Sequence, residues 1–281
     1  MVNETVIAQT FNKDLANEYG KICGNYSLWS NLTIFWGCGT NLHRSPYNAR
    51  NHEYYSEDAV LTSGQAVAFI SGGKEYGVII APKHLAFNDT EINRTGVSVF
   101  MTEQQARENE LRGTQAAIED AGALGVMTAF NRVGITAANA HTGLLKNILR
   151  GEWGFKGLES QDFIMNPNYA VLKEYALNGG TMTTFTGENT MAAVSEKFAY
   201  WTTENVGQDT ELMSAIKQAM TWQAYALANS NALDGMASST RLVSVRTWYD
   251  NALVAVQVVF AVLTVLAAAM YVLNDRKSKK Q

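Results

Sequence analysis

Short runs of apolar residues alternate along the chain with longer segments whose apolar positions recur about every 3.6 residues. Five runs, rich in β-branched, aromatic or small apolar residues, predict strands. They are Leu32–Trp36, Val78–Ala81, Ala123–Ala129, Gly157–Gln161 and Thr181–Thr184. Because most of these runs are apolar throughout rather than alternating, they predict a parallel sheet that is covered on both faces.

Segments of helical period separate the predicted strands. In residues 14–28, Leu15, Tyr19, Ile22 and Tyr26 recur close to the helical period, which is typical of an amphipathic helix. The predicted helices are Asp14–Leu28, Ala59–Ile70, Thr102–Asp120, Asn139–Leu149, Pro167–Asn178, Met191–Glu204 and Asp209–Asn231. The alternation leaves two architectures open, a barrel of βα units and an open doubly wound sheet.

The C-terminal part of the chain has a different pattern. Ala252–Leu273 is a stretch of 22 residues without a charge. As a helix it would be about 33 Å long, which is enough to cross the hydrocarbon core of a bilayer. We therefore predict a linker over residues 236–250, a transmembrane helix over 251–274 and a basic tail over 275–281. A buried core helix is the alternative, but the length and the basic residues that follow disfavour it.

The basic tail predicts the orientation of this helix. Arg276, Lys277, Lys279 and Lys280 follow the apolar stretch, and positive residues favour the cytoplasmic side. The main domain would then lie outside the cell at the cell membrane. The first residues, MVNETVIAQTFNKD, lack the basic and apolar regions of an export signal. Either the chain is a fragment of a longer exported protein, or its orientation is the reverse.

Composition narrows the classes of partner. The chain has 281 residues, is 47% hydrophobic and carries a formal net charge of -4. The last seven residues carry +3, so residues 1–274 carry -7, and such an acidic body disfavours nucleic acid as a partner. The two cysteines, Cys23 and Cys38, are expected to be free thiols rather than a disulfide. The histidines at 43, 52 and 141 are not spaced as metal ligands, so no metal is expected.

Charged residues follow several predicted strands. Arg50, Lys83, His84 and Asp162 each come after an apolar run. The carboxyl ends of parallel strands meet at one edge of a sheet or barrel, so these side chains are expected to converge there. Cations that donate to hydroxyl groups and keep one carboxylate ionised suit a neutral, polyhydroxylated ligand. The alternative is that each residue is an ordinary surface or capping residue.

Several long motifs carry a family resemblance. They are NLHRSPYNARNHEYYSED, KHLAFNDTEINRTGVSVFMTEQQARE, GALGVMTAFNRVG and LLKNILRGEWGFKG. In order and spacing they resemble the catalytic barrel of glycoside hydrolase family 3, the β-glucosidase group, over roughly residues 5–235. The segment WQAYALANSNALDGM, followed by an apolar helix, is similar to members in which the second domain precedes the barrel and a membrane anchor ends the chain.

The resemblance implies a fold and roles for particular residues. It implies an α/β fold, an incomplete TIM-type barrel over residues 1–235 whose first strand is missing. Arg50 matches the sugar-binding arginine of the family, with Ala49 in place of a glycine. Lys83 and His84 match the pair that holds sugar hydroxyls. Asp162, five residues after Gly157, matches the nucleophile.

The strand that leads to Asp162 departs from the family pattern, which has two β-branched apolar residues and then Ser or Thr before the aspartate, where this chain has Glu159, Ser160 and Gln161. Glu159 stands where the family has an apolar residue, in the strand that leads to Asp162. A carboxylate buried there is costly unless it is paired.

The resemblance also implies a chemistry. Members are retaining hydrolases, in which two carboxyl groups about 5–5.5 Å apart cleave a β-glucoside-like bond through a glycosyl-enzyme. No metal or other cofactor is implied. The general acid/base is expected to come from a domain or separate chain outside these residues, so this chain alone is expected to be inactive or very weak. The competing hypothesis is a membrane-tethered, non-catalytic carbohydrate-binding domain, a pseudoenzyme.

Overall fold

The structure is a computed structural model that describes residues 2–88, 90–94, 96–163, 172–184, 201–234 and 247–278, the last without side chains beyond residue 273. It divides into two compact units, Met1–Asp234 and Gly235–Gln281. The predicted helix Met191–Glu204 and the predicted linker lie almost wholly outside the described residues, as does the end of the basic tail.

A parallel sheet of four strands forms the centre of the first unit. Its strands are β1 (Ile34–Gly39), β2 (Ile79–Leu85), β4 (Gly125–Thr128) and β7 (Leu158–Gln161), in the spatial order β1-β2-β4-β7. Each strand of this sheet therefore lies beside the predicted strand that precedes or follows it along the chain, as in the wall of a barrel. In the part of the chain that the structure describes, the predicted strand Thr181–Thr184 is represented by a single parallel bridge between Ser160 and Met182.

Helices cover one face of this sheet. They are α2 (Lys13–Trp29), α3 (Ala59–Lys74), α5 (Arg112–Glu119) and a π-helical segment, Gly143–Glu152. Ile80 of β2 packs there among Phe69 and Ile70 of α3. On the opposite face, Ile79 packs with Leu158 and with Ala226 of the last helix of the unit. Both faces are therefore covered, as the unbroken apolar strands predicted.

The remaining elements are short or lie at the ends of the unit. They are α1 (Glu4–Ala8), a 3₁₀ turn (Asn51–Glu53), α4 (Glu103–Gln105), a 3₁₀ turn (Ala138–Ala140), α6 (Leu172–Leu177), α7 (Thr203–Gln208), α8 (Thr210–Ala228) and a 3₁₀ turn (Asn231–Leu233). A second sheet joins β3 (Ser98–Val99), β5 (Arg132–Val133) and β6 (Thr136–Ala137). The predicted long helix Thr102–Asp120 is wrong as one element, because a π-helical segment, Ala106–Glu110, and Leu111 separate α4 from α5.

The buried face of α2 is not the apolar stripe of its sequence. Leu15, Ile22 and Tyr26 are exposed, whereas the buried residues of α2 are Ala16, Gly20, Cys23, Gly24 and Ser27. The reason is close packing on α3: a Cβ on Gly20 would overlap the carbonyl oxygen of Phe69. Small residues allow the two helix backbones to approach, and this contact outweighs the burial of the larger side chains.

This contact gives a stability prediction. Gly20→Ala places a methyl group against the α3 backbone and is expected to destabilise the first unit by about 1–3 kcal/mol. Gly207→Ala in α7 is the matched control, since nothing lies within 4 Å of its added Cβ. The free energy of unfolding of Gly207→Ala is expected to equal that of the parent or to exceed it by at least a few tenths of a kcal/mol. Urea unfolding of both measures the difference, and equal stabilities would contradict the close packing.

The second unit contains one long helix, α9 (Trp248–Ser278). Within it, Trp248–Leu273 spans 26 residues, and its most apolar 18-residue window has a mean hydropathy of 2.6 and no buried residue among those that the structure describes. In length and composition this helix could cross a membrane. That it does so remains a prediction.

Candidate active site

Lys83 and His84 lie within β2, not just beyond it. The predicted strand ended at Ala81, before Pro82, but β2 continues to Leu85. Its pairing with β1 is irregular beyond Trp36, and its pairing with β4 shifts between Lys83 and Leu85. Such irregularities re-aim side chains at the end of a strand.

The amide of Asn41 fixes the backbone and the ring of His84. Its Nδ2 donates to the carbonyl oxygen of His84 (2.9 Å), and its Oδ1 accepts from the backbone N–H of His84 (2.9 Å). Only one orientation of the amide satisfies both bonds. Oδ1 also lies 3.1 Å from Nδ1 of the ring. Nδ1 therefore carries the proton of the neutral imidazole, and Nε2 is the acceptor.

His84 is a neutral residue at the centre of the site. Burial lowers the pKa of His84 well below its ordinary value, and the charges of Arg50, Lys83 and Arg94 lower it further. Nη2 of Arg50 lies 3.2 Å from Nε2 and donates to it. Oδ2 of Asp162 lies 3.4 Å from the same nitrogen. Because the imidazole is neutral, this last contact is not an ion pair.

Arg50 and Lys83 are held by one carboxylate, Glu53. The 3₁₀ turn of residues 51–53 follows Arg50 directly and turns Glu53 back towards it. Nε of Arg50 donates to Oε2 (2.7 Å), and Nη2 of Arg50 and Nζ of Lys83 donate to Oε1 (2.8 and 2.6 Å). Burial alone would raise the pKa of Glu53, but the hydrogen bond from Arg50 and the charge of Lys83 lower it to about 2.

Asp162 lies at the carboxyl end of β7, beside His84. Its side chain is 8% exposed, and its Oδ1 accepts from the N–H of Phe163 (2.8 Å). Burial raises the pKa of Asp162 above its ordinary value, against this hydrogen bond and the charges of Arg50, Arg94 and Lys83. The three cations thus favour the ionised form of Asp162, but burial has the larger effect on its pKa.

Glu159 is fully buried in the strand that leads to Asp162. It is 0% exposed, and neither of its carboxyl oxygens has a hydrogen-bond partner among the residues that the structure describes. Burial raises the pKa of Glu159 to about 7, although the nearby hydroxyl of Tyr175 and the charge of Arg150 lower it. The strand forms despite this residue, because its backbone is satisfied by β4 and by Thr181.

Three charged residues of the site were not predicted. Nη1 of Arg94 lies 2.8 Å from Oε2 of Glu91, whose Oε1 lies 3.5 Å from Nη1 of Arg50. The guanidinium of Arg94 stacks on the ring of Phe130, 4.4 Å from its centroid. Glu91 and Arg94 follow β2 closely in the sequence, and that position is the signal that could have identified them. Glu53 was part of a recognised motif without a role.

A further acid, Glu4, lies at the end of β1. It belongs to α1, which is too short to give a periodic signal, and its Oε2 accepts from the N–H of Gly39 (2.8 Å). Burial raises the pKa of Glu4 to about 8, while the hydrogen bond from Gly39 and the charge of Lys83 oppose the shift.

The structure thus brings together all four residues predicted for the site. Three cations, Arg50, Lys83 and Arg94, face three carboxylates, Glu53, Glu91 and Asp162, around a neutral imidazole. A balanced set of donors and acceptors of this kind can hold a neutral ligand with several hydroxyl groups, and it leaves one carboxylate, Asp162, next to the ring of His84. Among the described residues, no group of three or more possible metal ligands occurs.

Comparison with known families gives a match over most of the chain. The family model described as "Glycosyl hydrolase family 3 N terminal domain" matches residues 3–193. The probable beta-glucosidase J of Emericella nidulans is 35% identical over 159 residues, which cover 57% of this chain and 19% of that protein. A beta-glucosidase of Ruminococcus albus is 37% identical over 167 residues, covering 59% of this chain and 18% of its own length.

Solved structures of similar fold cover more of the chain. Beta-glucosidase 3B from Thermotoga neapolitana, in complex with α-D-glucose, superposes with a TM-score of 0.73 at 26% identity over 83% of this chain and 32% of its own. The beta-glucosidase of Paenibacillus barengoltzii has a TM-score of 0.73 at 25% identity over 88% of this chain and 28% of its own. The chain thus spans about a fifth of the length of the curated relatives and about a third of the solved ones.

Proposed function

The chain belongs to glycosyl hydrolase family 3, with a TIM-like α/β fold, and from this premise we propose that it takes part in hydrolysing a β-glucoside-like bond with retention of configuration. The observation that carries the proposal is the position of Asp162, whose Oδ2 lies 3.4 Å from the ring of His84. Arg50 in turn donates to that ring and is joined to Lys83 through Glu53. Asp162 therefore lies close to side chains that can bind the hydroxyl groups of a sugar, namely His84, Arg50 and Lys83.

The proposed first step forms a covalent intermediate. An oxygen of Asp162 attacks the anomeric carbon and forms an ester bond, while the bond to the leaving oxygen breaks and its electron pair goes to that oxygen. A general acid protonates the leaving oxygen. In the second step the same group, now a base, takes a proton from water, and the water oxygen displaces Asp162. Arg50, Lys83 and His84 hold the sugar hydroxyls during both steps.

We place the general acid/base outside the residues of this site. Glu53 and Glu91 are each tied to arginines, which favours their ionised forms and disfavours a role as proton donor. A further domain or a separate chain would supply the missing carboxylic acid. Loss of an acid/base group typically costs about 10²–10⁴-fold in rate, so we expect the 281-residue chain alone to be very weak.

Covalent trapping tests the proposal without needing the acid. A 2-deoxy-2-fluoro-β-glucosyl fluoride has a leaving group that departs without protonation, and the 2-fluorine slows hydrolysis of the intermediate. The full chain is expected to gain one fluoroglucosyl group, located on Asp162 by peptide mass spectrometry. Absence of any label, together with no binding of glucose, would contradict the proposed function.

A non-catalytic, sugar-binding role is the second candidate. The observation that favours it is Glu159, an unpaired buried carboxyl in the strand that positions the nucleophile. Measurable glucose affinity without trapping of the fluorosugar would support this candidate over the first.

We further propose that the first unit is the wall of an incomplete barrel and that α9 anchors it to the cell membrane, with residues 275–281 in the cytoplasm. The unburied apolar surface of Trp248–Leu273 supports the anchor. Leu263→Arg, near the middle of this span, is expected to weaken membrane insertion by about 3–4 kcal/mol. Carbonate extraction of membranes would measure the released fraction, with the conservative Leu263→Ile as control. Equal retention of both variants would contradict a central transmembrane position.

A further inference from the structure

The carboxylate of Glu53 joins the two cations that are proposed to bind the sugar. Its oxygen Oε1 accepts from both Nη2 of Arg50 (2.8 Å) and Nζ of Lys83 (2.6 Å). Its second oxygen accepts from Nε of Arg50 (2.7 Å). The two cations belong to different elements, the loop after β1 and the strand β2. Through this one oxygen, Glu53 fixes the spacing between them.

The turn that carries Glu53 is held in place by the first helix, α1. The hydroxyl of Thr5 in α1 lies 2.8 Å from two carbonyl oxygens, those of Asn51, which begins the turn, and Tyr54, which follows it, and these two acceptors share its single proton. The neighbouring residue, Glu4, fastens α1 to the N–H of Gly39 at the end of β1. The first helix therefore supports the turn that carries Glu53 through Thr5, while Glu4 ties the helix to β1.

Removal of the negative charge would change this arrangement. Two like charges that share one acceptor repel each other once that acceptor is neutral. Arg50 and Lys83 are each 17% exposed at their side chains, so water would screen the repulsion only in part. Their long side chains would then separate, and the spacing of the two donors would be lost.

We propose that Glu53 is a positioning residue that holds Arg50 and Lys83 close enough together for both to donate to the hydroxyl groups of one sugar ring. It acts through the two cations and does not contact the sugar. This proposal rests on the proposed function, since the ligand is the same sugar. It assigns a part in substrate recognition to a carboxylate that accepts three hydrogen bonds from Arg50 and Lys83, out of about four that its oxygens can accept.

The first test measures glucose binding by calorimetry with the full chain. Glu53→Gln is expected to weaken binding about 10- to 100-fold, because the amide cannot hold two cations. Glu53→Asp keeps the charge and is expected to restore part of the affinity. Glu57→Gln is the matched control, an exposed carboxylate four residues along the chain, and is expected to bind within about twofold of the parent. Unchanged binding by Glu53→Gln would overturn the proposal.

A second readout does not depend on the sugar. Acetylation by an N-hydroxysuccinimide ester, followed site by site with mass spectrometry, reports how well the ammonium of Lys83 is held. Glu53→Gln is expected to speed acetylation of Lys83 several-fold and to leave the exposed Lys146 unchanged. If the parent neither binds glucose nor gains the fluorosugar label, the proposed function fails. The positioning of Lys83 by Glu53 is decided separately, by this acetylation rate.

A third variant covers the case in which Glu53→Gln does not fold. Thr5→Val removes only the hydroxyl behind the turn and keeps the size of the side chain. It is expected to weaken glucose binding by a few fold and to speed acetylation of Lys83. If the glucose affinity and the acetylation rate of Lys83 both match those of the parent, support of the turn by α1 is ruled out. The role of the carboxylate is then decided by Glu53→Asp.

Discussion

Asp162→Asn is expected to abolish trapping by the fluorosugar and to lower any hydrolysis by the chain at least about 10³-fold. The amide nitrogen and oxygen of asparagine cannot form the ester bond to the anomeric carbon under these conditions. The side chain is 8% exposed and close in shape to the parent, so the site is expected to keep its geometry. Initial rates with an aryl β-glucoside and the mass of the labelled protein measure the effect.

Controls separate this effect from general damage to the site. Glucose binding by Asp162→Asn is expected to remain within about tenfold of the parent, because Arg50, Lys83 and His84 are unchanged. Glu91→Gln removes another carboxylate of the same site, one tied to Arg94, and is expected to keep the label on Asp162. A label that moves to Glu53 or Glu91, or that persists in Asp162→Asn, would show that the nucleophile is a different residue.

Glu159→Gln is expected to stabilise the protein at pH 8 by up to about 3 kcal/mol and to have little effect at pH 4.5. Burial raises the pKa of Glu159 from 4.5 to about 7, against the opposing effects of Tyr175 and Arg150. Each pKa unit corresponds to about 1.4 kcal/mol, so the ionised form destabilises the folded state by roughly 3 kcal/mol. Stability from this group is complete below pH 4.5 and is lost as the pH rises through 7. The glutamine carries no charge and escapes this loss.

Urea unfolding between pH 4.5 and pH 8 measures this prediction. Glu4 also titrates in this range, since burial raises its pKa to about 8, but it is common to both proteins and cancels in the difference. Glu174→Gln, an exposed carboxylate on the adjacent α6, is the matched control and is expected to follow the parent at each pH. Parallel pH profiles for the parent and Glu159→Gln would mean that the carboxyl of Glu159 is paired.

Much of the sheet could be predicted from the sequence because its strands are locally distinct. The runs that end at Trp36 and Ala81 and the run that contains Val126 are apolar and short. Each overlaps a strand of the parallel sheet. Since parallel strands align their carboxyl ends, the same runs also placed Arg50, Lys83, His84 and Asp162 near one another. Topology places His84 and Asp162 at the same edge of the sheet, although β4 lies between their strands.

The errors arose where a tertiary contact overrides the local signal. The apolar stripe of α2 favours burial of Ile22 and Tyr26, but the packing of Gly20 against α3 exposes them. Pro82 favours the end of a strand, yet β2 continues because its neighbours tolerate a shift of register. The ion pairs of Glu53 with Lys83 and of Glu91 with Arg50 join residues 30 and 41 positions apart, and no local pattern reports such a pair.

The paired bonds of Asn41 to the backbone of His84 have a consequence for how the site tolerates change. Aspartate at this position could not donate to the carbonyl oxygen, and the longer glutamine would displace the strand it clamps. Asn41 should therefore be as intolerant of replacement as the groups that touch the ligand, although its own amide faces the protein. A scan of all single substitutions would rank it with the reacting carboxylate, and a docking study that considers only ligand contacts would overlook it.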